Sequence, residues 1–110
     1  MDTAHASRTG PDLAAVARLL ADGTRAAMCL ALLDGRAWTA SELARHAGVA
    51  PSTATGHLHL LVRGRLLAEE RQGRHRYVRL AGPEVAGLVE GLAALAPEPP
   101  AAPRTLSASD

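Results

Sequence analysis

The stretch that decides the fold runs from Thr39 to Leu80, TASELARHAGVAPSTATGHLHLLVRGRLLAEERQGRHRYVRL. Thr39-Ala40-Ser41-Glu42 opens it as a capping box, in which the Thr39 hydroxyl and the Glu42 carboxylate each satisfy a free backbone N–H at a helix start. Leu43, Ala44 and Ala47 fall on the inner side of that helix. Ala47-Gly48-Val49 then reads as a tight turn, because Gly48 is free to take the left-handed conformation. Pro51 suits the first position of a second helix, where its missing N–H is not needed, although Ala50 is a poor cap before it. From Pro51 to Arg63, steps of about 100° per residue sort the side chains into two faces. Ala54, Leu58, Leu61 and Val62 share one; Ser52, Gly56, His59 and Arg63 share the other. A solvated face would normally carry Glu, Lys or Gln, whereas small polar groups, a glycine and an arginine suit contact with something flat and anionic. Leu66–Arg71 and His75–Leu80 follow as extended runs around Gln72-Gly73-Arg74, the pattern of a β-hairpin.

Charge is concentrated in the same place. Residues 57–79 hold six arginines (Arg63, Arg65, Arg71, Arg74, Arg76 and Arg79) and three histidines against Glu69 and Glu70, a formal +4. The other six arginines of the chain face nine acidic residues, so a whole-chain charge of +1 conceals the asymmetry. A basic hairpin beside a flat polar helix face points to double-stranded DNA. A helix of this length fits the major groove, and neighbouring arginines reach phosphate or the adjacent minor groove. The expected base readers are Ser52, Thr55 and His59. Arg63 lies on the same side within reach of phosphate, and Thr53 belongs to the same contact stretch. Gly56 offers no side chain to a base and costs the helix about 1 kcal/mol relative to alanine. Arg71, Arg74, His75 and Arg76 are the expected hairpin contacts, with Arg74 and Arg76 nearest the tip; phosphate contacts of this kind supply affinity more than sequence choice.

Working outward, Asp12 is placed to cap a first helix with Leu13, Val16, Ala17 and Leu20 as its buried stripe. Asp22-Gly23-Thr24 breaks the chain before a second helix over Thr24 to Leu33, with Met28, Leu32 and Leu33 inward and Asp34-Gly35 at its end. Ala37-Trp38-Thr39 is long enough only for a strand stub. Beyond the hairpin, Gly82-Pro83-Glu84 opens a last helix with the stripe Val85, Leu88, Val89, Leu92 and Leu95. The expected organisation is a loose N-terminal arm over 1–11, a folded domain over 12–96, and a Pro/Ala/Ser-rich disordered tail or linker over 97–110, which leaves room for a further domain beyond it.

Composition narrows the class. The chain has 110 residues, no Phe, one Trp, one Tyr and no lysine, so a core of Ala, Leu and Val favours helices over a β-sandwich. No run approaches the ~18 apolar residues of a membrane span, and the N-terminus lacks the apolar core of a secretory signal. A single cysteine excludes an internal disulfide and fits a reducing cytoplasm. There is no Ser/His/Asp constellation, phosphate loop or convergent carboxylate pair, so an enzyme is not expected.

Four pieces of the sequence carry a resemblance: Leu20-Ala21-Asp22-Gly23-Thr24-Arg25, Ser41-Glu42-Leu43-Ala44, Pro51 to Leu58, and Arg71-Gln72-Gly73-Arg74 with Tyr77 and Leu80. In this order and spacing the chain resembles the ArsR/SmtB family of bacterial repressors over about residues 12–96. The resemblance implies a mainly α winged helix-turn-helix with a small β-hairpin wing, in the order two helices, strand stub, two helices, two strands and a last helix. It also implies a homodimer paired through the first and last helices, hence an interface of Leu13, Val16, Leu20, Val85, Leu88, Val89, Leu92 and Leu95. The implied function is repression of transcription at an operator with two-fold symmetry. His57 resembles the family histidine that touches the DNA backbone.

The family's metal ligands are missing. Ala37 to Leu43 contains no cysteine, Glu84 and Glu90 have no histidine beside them, and His57 and His59 point about 200° apart on one helix. No metal and no cofactor are expected. Cys29 falls at a core position and reads as a small buried hydrophobe. Arg65 stands where relatives usually carry the glycine that ends the recognition helix; the expectation is that Gly64 takes that role one residue early and re-aims the wing slightly. Two other readings stay open: a winged-helix module for protein contact, and an effector-responsive regulator sensing a small organic molecule near Trp38 and Tyr77 or a redox change through Cys29.

Overall fold

Asp12, Asp22 and Thr39 each start a helix by accepting a backbone N–H one turn further on. Asp12 Oδ1 accepts from Ala15 at 3.1 Å and opens α1 (Leu13–Leu20). Asp22 Oδ1 accepts from Arg25 at 3.0 Å and opens α2 (Gly23–Ala31). Thr39 closes the expected capping box: its hydroxyl accepts the Glu42 N–H at 3.1 Å, and Glu42 Oε1 accepts the Thr39 N–H at 2.8 Å, opening α3 (Ala40–Ala47). Ala50 has no group to offer, and α4 (Pro51–Arg63) starts without a side-chain cap. A two-residue β1 (Trp38–Thr39), the hairpin strands β2 (Leu67–Gln72) and β3 (His75–Leu80), and α5 (Pro83–Leu95) complete the order. The computed structural model describes residues 10–99, so most of the expected N-terminal arm and the tail beyond Pro99 lie outside the described residues.

The second helix differs from its expected span. With Asp22 as the cap, the helix begins at Gly23 instead of Thr24 and tightens into a 3-10 turn over Leu32–Asp34, where Gly35 takes φ 82°. The strand stub does pair. Trp38 lies opposite Val78 and Thr39 opposite Tyr77, giving an antiparallel sheet in the order β1-β3-β2. The hairpin register runs from Leu67 opposite Leu80 to Gln72 opposite His75. Its two-residue loop needs a positive φ at the first position only, which Gly73 provides at 62°.

Helices α3 and α4 end in the same motif. At the end of α3, Val49 N–H bonds Ala44 O at 3.0 Å and Gly48 N–H bonds Arg45 O at 3.2 Å, with Gly48 left-handed at φ 71°. At the end of α4, Leu66 N–H bonds Leu61 O at 3.0 Å and Arg65 N–H bonds Val62 O at 3.0 Å. The left-handed residue here is Arg65 itself, at φ 66°, while Gly64 stays at φ −81°. The expectation that Gly64 would end the helix one residue early is therefore corrected. A Cβ on Gly64 would meet the Cδ1 end of the Leu19 side chain, and the position that needs the left-handed conformation is one residue further on, at Arg65.

One core joins these elements. Met28, Cys29, Leu32, Leu43, Ala44, Ala54, Leu58, Leu61, Leu66, Leu67, Val78 and Val89 are buried together, with Val16, Leu19, Leu20, Trp38, Val62 and Val85 packed against them. The inner face of α4 thus meets α3 on one side and the foot of the hairpin on the other. Removing a side chain such as Leu58 from this core is expected to cost about 2–5 kcal/mol.

Candidate nucleic-acid interface

The side of α4 opposite the core is open. Ser52, Thr53, Gly56, His59 and Arg63 are exposed, and a Cβ built on Gly56 would meet nothing within 4 Å. The fold therefore has no need of glycine at that position. Thr55 is half-buried and its hydroxyl donates back to Pro51 O at 3.0 Å, so only its acceptor side is free. Leu60, which the sequence reading passed over, is 39% exposed at the edge of the same helix.

On the hairpin, Arg71, Arg74 and His75 are exposed, with Arg74 in the turn itself. Arg76 behaves differently. It reaches diagonally across the strands to Glu69, Nε to Oε2 at 3.0 Å, and is half-buried. With both side chains only about a third exposed or less, the pair takes Arg76 out of the set of free cations near the tip.

His57 is likewise committed. Its Nδ1 lies 3.1 Å from Arg25 Nη1 and its Nε2 lies 4.0 Å from Asp22 Oδ1, and the ring is half-buried on the flank of α4. The Asp22 carboxyl is held below the usual carboxylate range, first by the Arg25 backbone N–H it accepts and further by the Arg25 charge. Arg25 was not a candidate in the sequence reading. The signal was present in Leu20-Ala21-Asp22-Gly23-Thr24-Arg25, but nothing in spacing alone brings that arginine to a histidine 32 residues away.

The stripes of the first and last helices are placed less uniformly. Val89 is buried within the domain, and Val16, Leu20 and Val85 are half-buried. Leu13, Leu88, Leu92 and Leu95 are exposed at 77%, 38%, 46% and 84%. With Leu30 they leave an apolar surface, and between α1, α2 and α5 lies a groove lined by Leu20, Ala26, Leu30, Val89, Leu92 and Ala96 with Cys29 at its floor. Cys29 has no exposed surface, and burial pushes its thiol up to about 11.

A family profile described as "Helix-turn-helix domain" matches residues 20–70. An uncharacterised HTH-type transcriptional regulator of Bacillus subtilis, YdfF, is 42% identical over 88 residues, covering 80% of this chain and 39% of its own length. The chain thus spans about two fifths of that relative. The solution structure of the homodimeric winged helix-turn-helix DNA-binding domain of a possible ArsR-family transcriptional regulator from Mycobacterium bovis superposes with a TM-score of 0.69 at 30% identity, over 76% of each chain. The transcriptional repressor PagR of Bacillus anthracis superposes with a TM-score of 0.63 at 25% identity, over 72% of this chain and 90% of its own.

Proposed function

This chain belongs to the ArsR/SmtB family of winged helix-turn-helix transcriptional regulators, and we propose that it acts as a homodimeric, metal-independent repressor at an operator with two-fold symmetry. The observation that carries the proposal is the outer face of α4, open and polar, beside a hairpin whose Arg71 and Arg74 are exposed and have no hydrogen bond or ion pair among the described residues. Ser52, Thr55 and His59 read base edges in the major groove, with Thr53 and Arg63 beside them. Gly56 leaves room for close approach. Arg71, Arg74 and His75 hold phosphate. His57 and Arg76 join them only by giving up the partners they have within the domain.

The apolar surface of α1 and α5 supports dimerisation, because several exposed leucines, two of them (Leu30 and Leu92) lining one apolar groove, favour burial against a second copy. Pairing two copies through these helices spaces the recognition helices by about 34–36 Å or a multiple, one turn of DNA. For the trigger, among the described residues no three of His, Cys, Asp or Glu come together as a cation site would need. A thiol pushed up to about 11 with no exposed surface is also a poor redox sensor, which argues against switching through Cys29. Among the described residues no helix is long and apolar enough to cross a membrane.

The test is selection of bound fragments from the source genome by the purified protein, with sedimentation of the free and bound forms. Enrichment of an inverted repeat by a dimer is the expected result. No enrichment at low salt, or enrichment of a single asymmetric half-site by a monomer, would overturn the proposal.

A further inference from the structure

We propose that Arg25 is a positioning residue for DNA recognition: its guanidinium locks the recognition helix α4 to α1, and so sets how far apart a dimer holds its two recognition helices. The inference rests on the proposed dimeric operator binding. It begins with three hydrogen bonds from one side chain. Arg25 Nε donates to Leu19 O at 2.7 Å, Nη2 donates to Arg18 O at 3.1 Å, and Nη1 meets His57 Nδ1 at 3.1 Å. The first two partners are carbonyls in the last turn of α1, where a helix leaves oxygens short of partners; Arg18 O also accepts the Ala21 N–H at 3.3 Å. The third lies in the middle of α4. Among the described residues it is the one side-chain hydrogen bond that α4 makes to another helix.

The chemistry fixes the roles. A guanidinium carries only donors and stays charged, so His57 Nδ1 must present its lone pair. The imidazole proton then sits on Nε2, on the side facing the Asp22 carboxylate 4.0 Å away. Asp22 is itself held in place by the Arg25 backbone N–H at 3.0 Å. Arg25 therefore ties together the end of α1, the start of α2 and the flank of α4. Apolar packing alone would let α4 slide or roll slightly, whereas a planar fork with three fixed partners does not. Lysine keeps the charge but lacks the fork, so charge and geometry can be told apart.

The experiment measures affinity for a selected symmetric operator, for the same operator with one base pair inserted between half-sites, and for random DNA, at one salt concentration. Wild-type protein, R25K, R25M and H57L are compared, with the melting temperature of each. The expectation is that all three variants fold and lose roughly tenfold on the operator with less discrimination against the inserted base pair, while R25K and R25M bind random DNA within about twofold of wild type. H57L reaches the lock from the α4 side while leaving the α1 carbonyls capped, so it covers the case in which R25M does not fold. Combining R25M with H57L should add little to either alone, because both remove one interaction. Variants with wild-type affinity and spacing preference would overturn the assignment, as would an R25K that behaves like wild type, or equal losses on operator and random DNA in R25K and R25M. A wild-type protein that prefers no symmetric site would instead overturn the proposed function from which the assignment starts.

Discussion

The ends of α3 and α4 are the same backbone motif solved with different residues. After α3 the left-handed position is Gly48, where glycine carries no steric penalty; after α4 it is Arg65, where a side chain is forced into a conformation that costs about 1–2 kcal/mol. The difference teaches where this chain accepts strain. At the second site the nearest glycine, Gly64, keeps φ −81° with the end of the Leu19 side chain over it, one residue before the position that needs the left-handed conformation. The strained turn then leads directly into the hairpin that is proposed to hold phosphate, with Leu66 buried as its anchor.

A second contrast runs between the outer face of α4, polar and open, and the outer faces of α1 and α5, which expose leucine. The largest expected effect comes from making the second surface like the first. The double substitution Leu88→Glu with Leu92→Glu should weaken dimerisation by about a hundredfold or more, since it buries charge in an apolar contact, while the separate domain keeps its melting temperature. Sedimentation equilibrium reads this, and an unchanged dimer would remove α5 from the interface. Next, His59→Ala should alter the preferred bases by about 1–3 kcal/mol at one position of each half-site, seen by comparing selected sequences. An unchanged preference would take His59 off the reading face. Arg74→Ala should weaken binding to every sequence alike and reduce the slope of log affinity against log salt by up to about 0.9. The smallest effects test the two glycine stories directly. Arg65→Gly should stabilise the domain by about 1 kcal/mol by relieving the left-handed turn, and Gly56→Ala should stabilise it by a similar amount while weakening operator binding. Thermal unfolding and a binding titration on each variant settle the signs. A Gly56→Ala protein that gains stability and keeps full affinity would show that the open notch is not needed.

Much of this fold is local, which is why it can be read from residues in order. Thr39 and Glu42 form their capping box from neighbours three apart, Asp12 and Asp22 cap helices within one turn, and Gly73 places the hairpin loop. The faces of α4 follow from helical phase alone, and Ala54, Leu58 and Leu61 are buried as that phase requires. The candidate site was legible to the same depth. Ser52, His59, Arg63 and Arg74 stand exposed where pattern and charge put them. Arg76 and His57 were placed with them because residue type and position look alike in a string. Their commitments to Glu69 and to Arg25 depend on partners across the hairpin and across the domain.

Residue order alone therefore settled the family, the element sequence, the inner and outer faces of α3 and α4 and the region of positive charge, because each depends on steps of one to four residues or on composition. Packing decided the rest. It put the left-handed turn after α4 on Arg65 and not on Gly64; it laid Arg25 across α1 and α4; and it left the α5 leucines outside while drawing Val89 in. These are contacts between segments far apart in the chain, and their geometry is set by how volumes fit around a shared core.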